Sequence, residues 1–285
     1  MSGWGFSESP LVDGDQVIVS PGGRQALIVA LKTVGKKDSD TGIETGIEIW
    51  RCKPETTDRP LINSRRENLR YGASYSSMII ADLHNVKQYV QVTGDRIVSV
   101  DPDSGKIFWQ NSLSANRIAN VCSPVQIGDN KIFYSSAHNG GSTLLDIEIR
   151  RREEGVSFET TPIKTWPSQQ MQCHHGGIIV DGDHAYLGNG MNRGFPMCVN
   201  LTSGKISWGG KLRGAGIGSA ALVYCDRKII FRYQDGTVAL VEANPNRYNL
   251  LGKFMQNVKS SNRSWAHPVI SNGKLLLRED DKIMI

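Results

Sequence analysis

One nine-residue unit constrains this chain more than anything else in it. DPDSGKIFW runs from Asp101 to Trp109, and NLTSGKISW runs from Asn200 to Trp208. In both, an Asp or Asn opens the unit, Ser-Gly-Lys follows at the same offsets, and Trp closes it. A shorter copy, ETGIEIW, places Gly46 four residues before Trp50, as Gly105 stands before Trp109 and Gly204 before Trp208. The chemistry of each position is legible. The Asp or Asn accepts backbone N–H bonds and opens a turn. Gly supplies the left-handed backbone that the turn needs. Alternating apolar and polar residues then make a half-buried strand, and Trp ends it with a large surface to bury. The expectation is positive φ at Gly105 and Gly204, and Trp109 and Trp208 packed between neighbouring repeats.

A second element recurs upstream of these turns. SPLVDGDQVIV, SSMIIADLHNVKQYVQV, SPVQIGDNKIFY, GGIIVDGDHAYLG, SAALVYCDRKIIFRY and HPVISNGKLLLRE each read as small residues, a short apolar strand, a tight turn and another strand. Gly-Asp and Asn-Gly between alternating runs are hairpin signals. With Pro10, Ser77, Pro124, Gly177, Ala220 and Pro268 as equivalent positions, the steps are 67, 47, 53, 43 and 48 residues. Each step suits one four-stranded blade, with an insertion in the first. The reading is all-β: a β-propeller of four-stranded antiparallel blades, about five plus a partial sixth, in a single domain over residues 1–285. The segments 32–43, 51–71 and 150–166 read as insertions. No long stretch has helical periodicity, and neither GxGxxG nor GxxxxGK[ST] occurs.

Composition narrows the function classes. Hydrophobic residues make up 39% of 285, enough for a substantial core. The net charge of +5 is scattered, and its densest run, Arg150-Arg151-Arg152, is followed at once by Glu153-Glu154. That reads as a solvated turn and not as a nucleic-acid surface. No apolar stretch is long enough to span a membrane as a helix, and MSGWGFSESP is not a secretion signal. The five cysteines, at 52, 122, 173, 198 and 225, form no CxxC and no adjacent pair, which argues against a disulfide framework or a structural zinc site.

The D/N-x-x-[ST]-G-K-x-x-W unit resembles the repeat of the pyrroloquinoline-quinone (PQQ)-like β-propellers. That superfamily includes quinoprotein alcohol dehydrogenases and the scaffold lipoprotein of the outer-membrane β-barrel assembly machine. GWGFSESPLVDGDQVIVSPGG, MQCHHGGIIVDGDHAYLGNGMNRGFPMCVNLTSGKISW and SWAHPVISNGKLLLRED are most similar to planctomycete-type PQQ-like repeat proteins. The resemblance implies a ring of seven or eight blades, of which this chain reads as a fragment truncated at both ends. It implies a periplasmic or cell-envelope location, with protein or peptide partners and oligomerisation through open blade edges. Nucleic acid is not an expected partner.

The enzymatic members of that superfamily hold PQQ on a Trp floor beneath a ring closed by two adjacent cysteines, beside Ca2+ on Glu and Asn oxygens. This sequence has no Cys-Cys pair and no matching carboxylate set. The leading reading is therefore a non-catalytic binding scaffold with no cofactor and no catalytic residue. The alternative is a PQQ- and Ca2+-dependent alcohol or sugar dehydrogenase with a divergent quinone site. The candidate channel or rim contacts are His174, His175, Arg193, Trp265 and His267, with Trp4 beside them. No metal site is expected. Cys173 and His175 are the weak candidates, since consecutive strand residues face opposite ways and converge only at a bulge. One of the two histidines is expected to cap a strand end and the other to pack.

Overall fold

Each Gly, Asp or Asn pair that the sequence sets between two alternating runs makes a hairpin. Gly14, Gly128, Gly182 and Gly273 all have positive φ in such turns, and so do the pairs His84-Asn85 and Asp226-Arg227. Two successive left-handed residues give the turn twist that matches twisted strands. The computed structural model describes residues 5–37, 39–42, 44–54, 72–152 and 155–285.

The first sheet contains β1 (Leu11–Asp13), β2 (Gln16–Val19), β3 (Ile28–Lys32) and β6 (Glu48–Cys52). Between its last two strands, β4 (Lys36–Lys37) and β5 (Glu44–Thr45) pair as a two-stranded ribbon. The second sheet holds β7 (Ile79–Leu83), β8 (Val86–Val92), β9 (Ile97–Val100) and β10 (Ile107–Asn111). The third holds β11 (Val125–Ile127), β12 (Lys131–Ser136), β13 (Gly141–Arg152) and β14 (Gly155–Trp166). The fourth holds β15 (Cys173–Asp181), β16 (His184–Asn189), β17 (Phe195–Asn200) and β18 (Ile206–Gly209). The fifth holds β19 (Ala220–Cys225), β20 (Lys228–Tyr233), β21 (Thr237–Glu242) and β22 (Leu250–Met255). The sixth has three strands, β23 (Val269–Ser271), β24 (Lys274–Glu279) and β25 (Lys282–Met284). Among the described residues, helix is confined to one 3-10 turn, Met191–Arg193. This is the blade-by-blade meander of a propeller, five four-stranded sheets and a three-stranded sixth. The chain forms two compact units, Met1–Tyr134 with Leu145–Ile163, and Ser135–Leu144 with Lys164–Ile285.

The insertion expected over residues 150–166 is different in kind. It is the end of β13 and most of β14, two twelve-residue strands, and Arg150 pairs with Glu159 across them. The Arg run therefore ends a strand. Most of the segment 51–71 lies outside the described residues.

Four sheets share one frame at the turn into the outer strand. A backbone N–H closes each turn: Lys32 to Ile47 O, Asp101 to Lys106 O, Asn200 to Lys205 O and Glu242 to Asn249 O. Three residues beyond the acceptor stand Trp50, Trp109, Trp208 and Gly252, opposite Ala30, Ser99, Cys198 and Leu240. A register shift accompanies that position in all four. The turns differ in length, which hides the frame in the sequence. Gly105 and Gly204 have φ of 70° and 73°. Gly46 keeps its distance from Trp50 but is not left-handed, because the β4–β5 ribbon opens that turn.

The tryptophans then reach sideways. Trp50 Nε1 donates to Pro102 O at 2.8 Å, Trp166 Nε1 to Gly204 O at 2.9 Å, and Trp208 Nε1 to Asn244 O at 2.8 Å. Each acceptor lies in the turn of the following sheet. Trp50, Trp109 and Trp166 are buried, while Trp208 is half-buried between Tyr186 and Tyr248. Trp109 departs from the pattern. The third sheet has a long hairpin where the second, fourth and fifth have a short turn, and Trp109 Nε1 donates to Gln88 Oε1 of its own sheet. Its ring still packs with Ile132, Leu145 and Phe158 of the third sheet.

Gly105 is required twice over. Its φ is left-handed, and a Cβ there would stand 2.3 Å from Trp50 Cε3. Gly128 has a similar φ, 60°, with open space around it. Gly128→Ala should therefore cost about 1 kcal/mol through backbone strain alone. Gly105→Ala should cost a further 1–3 kcal/mol or so by overpacking the indole. Urea unfolding of the two variants measures the difference, and equal costs would remove the docking role of this turn.

The fifth and sixth sheets meet differently. Arg232 of β20 is fully buried and donates to Glu279 Oε2 of β24 at 2.9 Å, to Gln256 Oε1 and to Ala266 O. Glu279 also accepts from Ser264, Gln256, Ser260 and Lys259. Burial pushes its carboxyl up, but the hydrogen bonds from Ser264, Gln256 and Ser260 outweigh it and bring the group down to about 2. With the folded pKa depressed, this contribution to stability is present above the usual Glu range near ~4.3 and is lost as pH falls toward 2. Glu279→Gln leaves the Arg232 charge buried without a counter-charge. It should cost roughly 3–5 kcal/mol at pH 7 and flatten the stability profile between pH 5 and 2. Denaturant midpoints across that range supply the check.

Candidate functional site

The second compact unit gathers imidazoles at one end of its sheets. In an antiparallel meander the start of the first strand and the turn between the second and third strands lie at the same end. His174 and His175 stand at the start of β15, and His138 lies in the β12–β13 turn with φ of 51°. Trp265 and His267 precede β23, and Ser219 precedes β19.

A bulge brings the two adjacent histidines together. Cys173 pairs with Asn189 and Ile178 with Leu187, so residues 174–177 loop out between the two pairs. The two glycines that follow allow this. A Cβ on Gly176 would stand 1.7 Å from Ala220 O, and Gly177 has φ of 73° with His267 Cε1 3.1 Å from where its Cβ would be. The rings of His174 and His175 consequently sit 3.7 Å apart, edge to face. His138 approaches His174 at 5.5 Å, also edge to face. Both histidines thus belong to one cluster, with His174 hydrogen-bonded to Ser219 and His175 packed on Trp265.

Trp265 packs with two partners. His175 stacks on it at 4.0 Å with an interplanar angle of 20°, and the Arg263 guanidinium lies 5.1 Å from its centroid. Its Nε1 donates to Gln234 Oε1 at 2.9 Å. His267 Nε2 lies 3.0 Å from His175 O. Because a carbonyl only accepts, Nε2 of His267 carries the proton. His174 Nδ1 is 2.8 Å from Ser219 Oγ, whose own proton goes to Met191 O. Nδ1 of His174 therefore donates to Ser219.

Of the expected contacts, His174, His175, Trp265 and His267 form one connected group. Arg193 stands apart, exposed in the 3-10 turn with its guanidinium 5.7 Å from the Phe195 ring. Trp4 lies outside the described residues. Cys173 is fully buried, and its thiol donates to Gly177 O. Among the described residues no group of three His, Cys, Asp or Glu is arranged to hold a metal ion. His138 belongs to the cluster without any local sequence signal, whereas Ser219 opens one of the recurring strand entries and Arg263 stands just before Trp265 and His267.

Burial pushes the imidazoles toward neutrality. His175 is lowered to about 3 and His174 to about 4, with burial the main cause and neighbouring His138 and Arg263 adding to it. Burial lowers His138 as well. Five cation-capable groups thus meet with no carboxylate among the causes of these shifts.

The comparisons with known proteins follow this geometry. The sequence profile of the family described as "Outer membrane protein assembly factor BamB" matches residues 2–209, almost three quarters of the chain. The chain belongs to this family. No curated protein matches it in sequence. Among solved structures, BamB from Moraxella catarrhalis is similar at 13% identity, covering 97% of this chain and 83% of that one, with a TM-score of 0.49. A europium-containing methanol dehydrogenase is similar at 13% identity and a TM-score of 0.52. It is matched over 87% of this chain and 50% of its own, so this chain spans half its length. The β-propeller domain of Cps50 (Swd1) from Myceliophteria thermophila is similar at 12% identity and a TM-score of 0.55, covering 97% and 81%. At such identities the last two likenesses speak for the fold alone, a β-propeller.

Neutral histidines in the folded state make the site acid-sensitive. The unfolded chain takes up protons near ~6.5, whereas the folded chain does so only near 4 and 3. Stability should therefore fall as pH drops from about 6.5 through 4. Asn does not titrate, so His175→Asn should reduce the slope of melting temperature against pH between 6.5 and 4. A slope unchanged by the substitution would place the titrating groups elsewhere.

Proposed function

We propose that this chain is a non-catalytic, protein-binding β-propeller scaffold of the bacterial cell envelope, working in the periplasm. The observation that carries this reading is the family match over residues 2–209, to a family described by its part in outer membrane protein assembly. The chemistry of the chain supports it. A propeller presents strand edges and turn loops on a rigid frame, and such surfaces bind other polypeptides by shape and by strand addition.

The competing reading is a quinoprotein dehydrogenase, which the fold alone does not distinguish from a scaffold. The residues present do not fit the quinone. No two cysteines are adjacent in the sequence. Trp50, Trp109 and Trp166 are buried at sheet junctions, and His175 stacks on the Trp265 ring. No catalytic step is therefore derived through PQQ, and no cofactor is proposed.

Photo-crosslinking residues placed at exposed positions of the protein, in cells that make it, should give discrete adducts with envelope proteins. Purified protein mixed with PQQ and Ca2+ should show no quinone absorbance change and no dye-linked alcohol oxidation. Saturable quinone binding with turnover would replace the scaffold reading by the dehydrogenase one.

A further inference from the structure

The second sheet carries a cavity of about 460 Å³, within the range of small-ligand sites. Asp95 and Arg96 of the β8–β9 turn line it, with Gln110 and Asn111 at the end of β10 and Ser112 and Arg117 of the segment that follows. Turn and segment lie at one end of the sheet, because Ile97 pairs with both Val92 and Asn111. Ala115 is the one apolar residue among the described lining. Ligand pockets are usually lined by apolar side chains, so this lining selects a hydrophilic ligand.

The walls are fixed in advance. Thr93 N–H donates to Arg96 O at 2.7 Å and closes the turn. Asn111 Oδ1 accepts from the Leu113 N–H and the Tyr134 hydroxyl, and Asn116 Oδ1 accepts from the N–H groups of Ile118 and Ala119 on either side of the next carbonyls. Asn120 Nδ2 donates to Thr93 O at 2.7 Å and ties the segment to the turn. Arg96 Nε pairs with Asp95 Oδ1 at 2.9 Å, and its Nη1 donates to Gln110 Oε1 at 2.8 Å. The Asp95 and Arg96 side chains are only 10% and 16% exposed. A ligand entering here meets a cavity already ordered, which lowers the entropy cost of binding.

The propeller frame does not call for the side chains of Gln110 and Asn111. Trp109 and Trp208 hold the same place in their sheets, yet the two residues after Trp208 are Gly209 and Gly210.

Charge narrows the ligand. Asp95 neutralises Arg96. Arg117 is exposed and makes no ion pair among the described residues, and the Ser112 hydroxyl makes no hydrogen bond among them. One uncompensated guanidinium matches one negative charge, and a carboxylate meets its fork with two parallel hydrogen bonds. A phosphate monoester brings roughly two charges and leaves one of them unmatched. The Ser112 hydroxyl and the amides of Gln110 and Asn111 offer donors and acceptors beside Arg117, which suit hydroxyl groups on the ligand.

We propose that this cavity binds a small polyhydroxylated monocarboxylate, a sugar acid of hexuronate size, with its carboxylate on Arg117 and its hydroxyls on Gln110, Asn111 and Ser112. The site is additional to the scaffold surfaces and does not rest on them.

The probe is sodium D-glucuronate, titrated into the intact protein at low salt and followed by isothermal titration calorimetry. Saturable binding at one site is expected, with slowed amide exchange confined to residues 93–96 and 110–118. D-Glucose keeps the hydroxyls without the charge, acetate keeps the charge without the hydroxyls, and glucose 1-phosphate carries the wrong anion. Each should bind roughly tenfold more weakly or worse. Arg117→Gln should weaken glucuronate by a similar factor while leaving the melting temperature unchanged, since the side chain is exposed. Acetate or glucose 1-phosphate binding as tightly as glucuronate would make this a general anion site and overturn the proposal. So would the absence of saturable glucuronate binding, or an affinity that Arg117→Gln leaves unchanged.

Discussion

The indole that crosses from one sheet to the turn of the next is the interaction on which the rest of this structure depends. A four-stranded meander has two apolar faces and cannot bury either alone. Docking a Trp on the neighbouring turn buries on the order of 150–250 Å² of aromatic surface, a gross gain of about 4–6 kcal/mol before entropy. The indole N–H fixes the register of the contact, because a buried donor must find an acceptor. The turn carbonyls at Pro102, Gly204 and Asn244 provide it. The glycine at the same turn is the other half of the device, for at Gly105 a methyl group would occupy the space of the Trp50 ring. One short sequence unit thus encodes a turn, a strand end, a donor and the socket for its predecessor.

This coupling explains what was legible in the sequence and what was not. Asn200–Trp208 carries the whole device within nine residues, and Asp101–Trp109 carries its turn, its socket and its packed indole, so the blade succession could be read directly. In the first and fifth sheets the turns have other lengths, and the frame survives only as hydrogen bonding and register. Gly46 keeps the spacing without the left-handed backbone because a ribbon has been inserted before it. Gly252 is invisible as a repeat position without the pairing of β21 with β22. The long β13–β14 hairpin looked like an insertion because its polar and charged residues break the alternation expected of a half-buried strand.

The imidazole cluster was half legible for a related reason. His174 and His175 stand out as adjacent histidines at a strand start, and Trp265 and His267 hold the corresponding place before β23. Their convergence depends on a bulge that only Gly176 and Gly177 permit, and on His138, which arrives from a turn in another sheet. Ring contacts between residues 36 or 90 positions apart leave no trace in local patterning. The chemistry of the cluster comes from that convergence. Burial pushes His138, His174 and His175 toward neutrality, and no carboxylate is among the causes of these shifts. The group is a packed set of hydrogen-bonding aromatics, with His175 stacked on Trp265 and the Arg263 guanidinium over its ring.

Where the tryptophan device is missing, the molecule changes its means of joining sheets. The fifth sheet has Gly252 in place of the indole, and a buried Arg232–Glu279 pair ties it to the sixth. The two solutions differ in what they demand. An indole on a glycine tolerates small shifts, since dispersion and burial are non-directional. A buried ion pair does not, because each charge repays its desolvation only if the partners stay in place. Gln256, Ser260 and Ser264 hold Glu279, and all three come from the segment that follows β22. The chain leaving β22 is thus fixed at once by polar contacts.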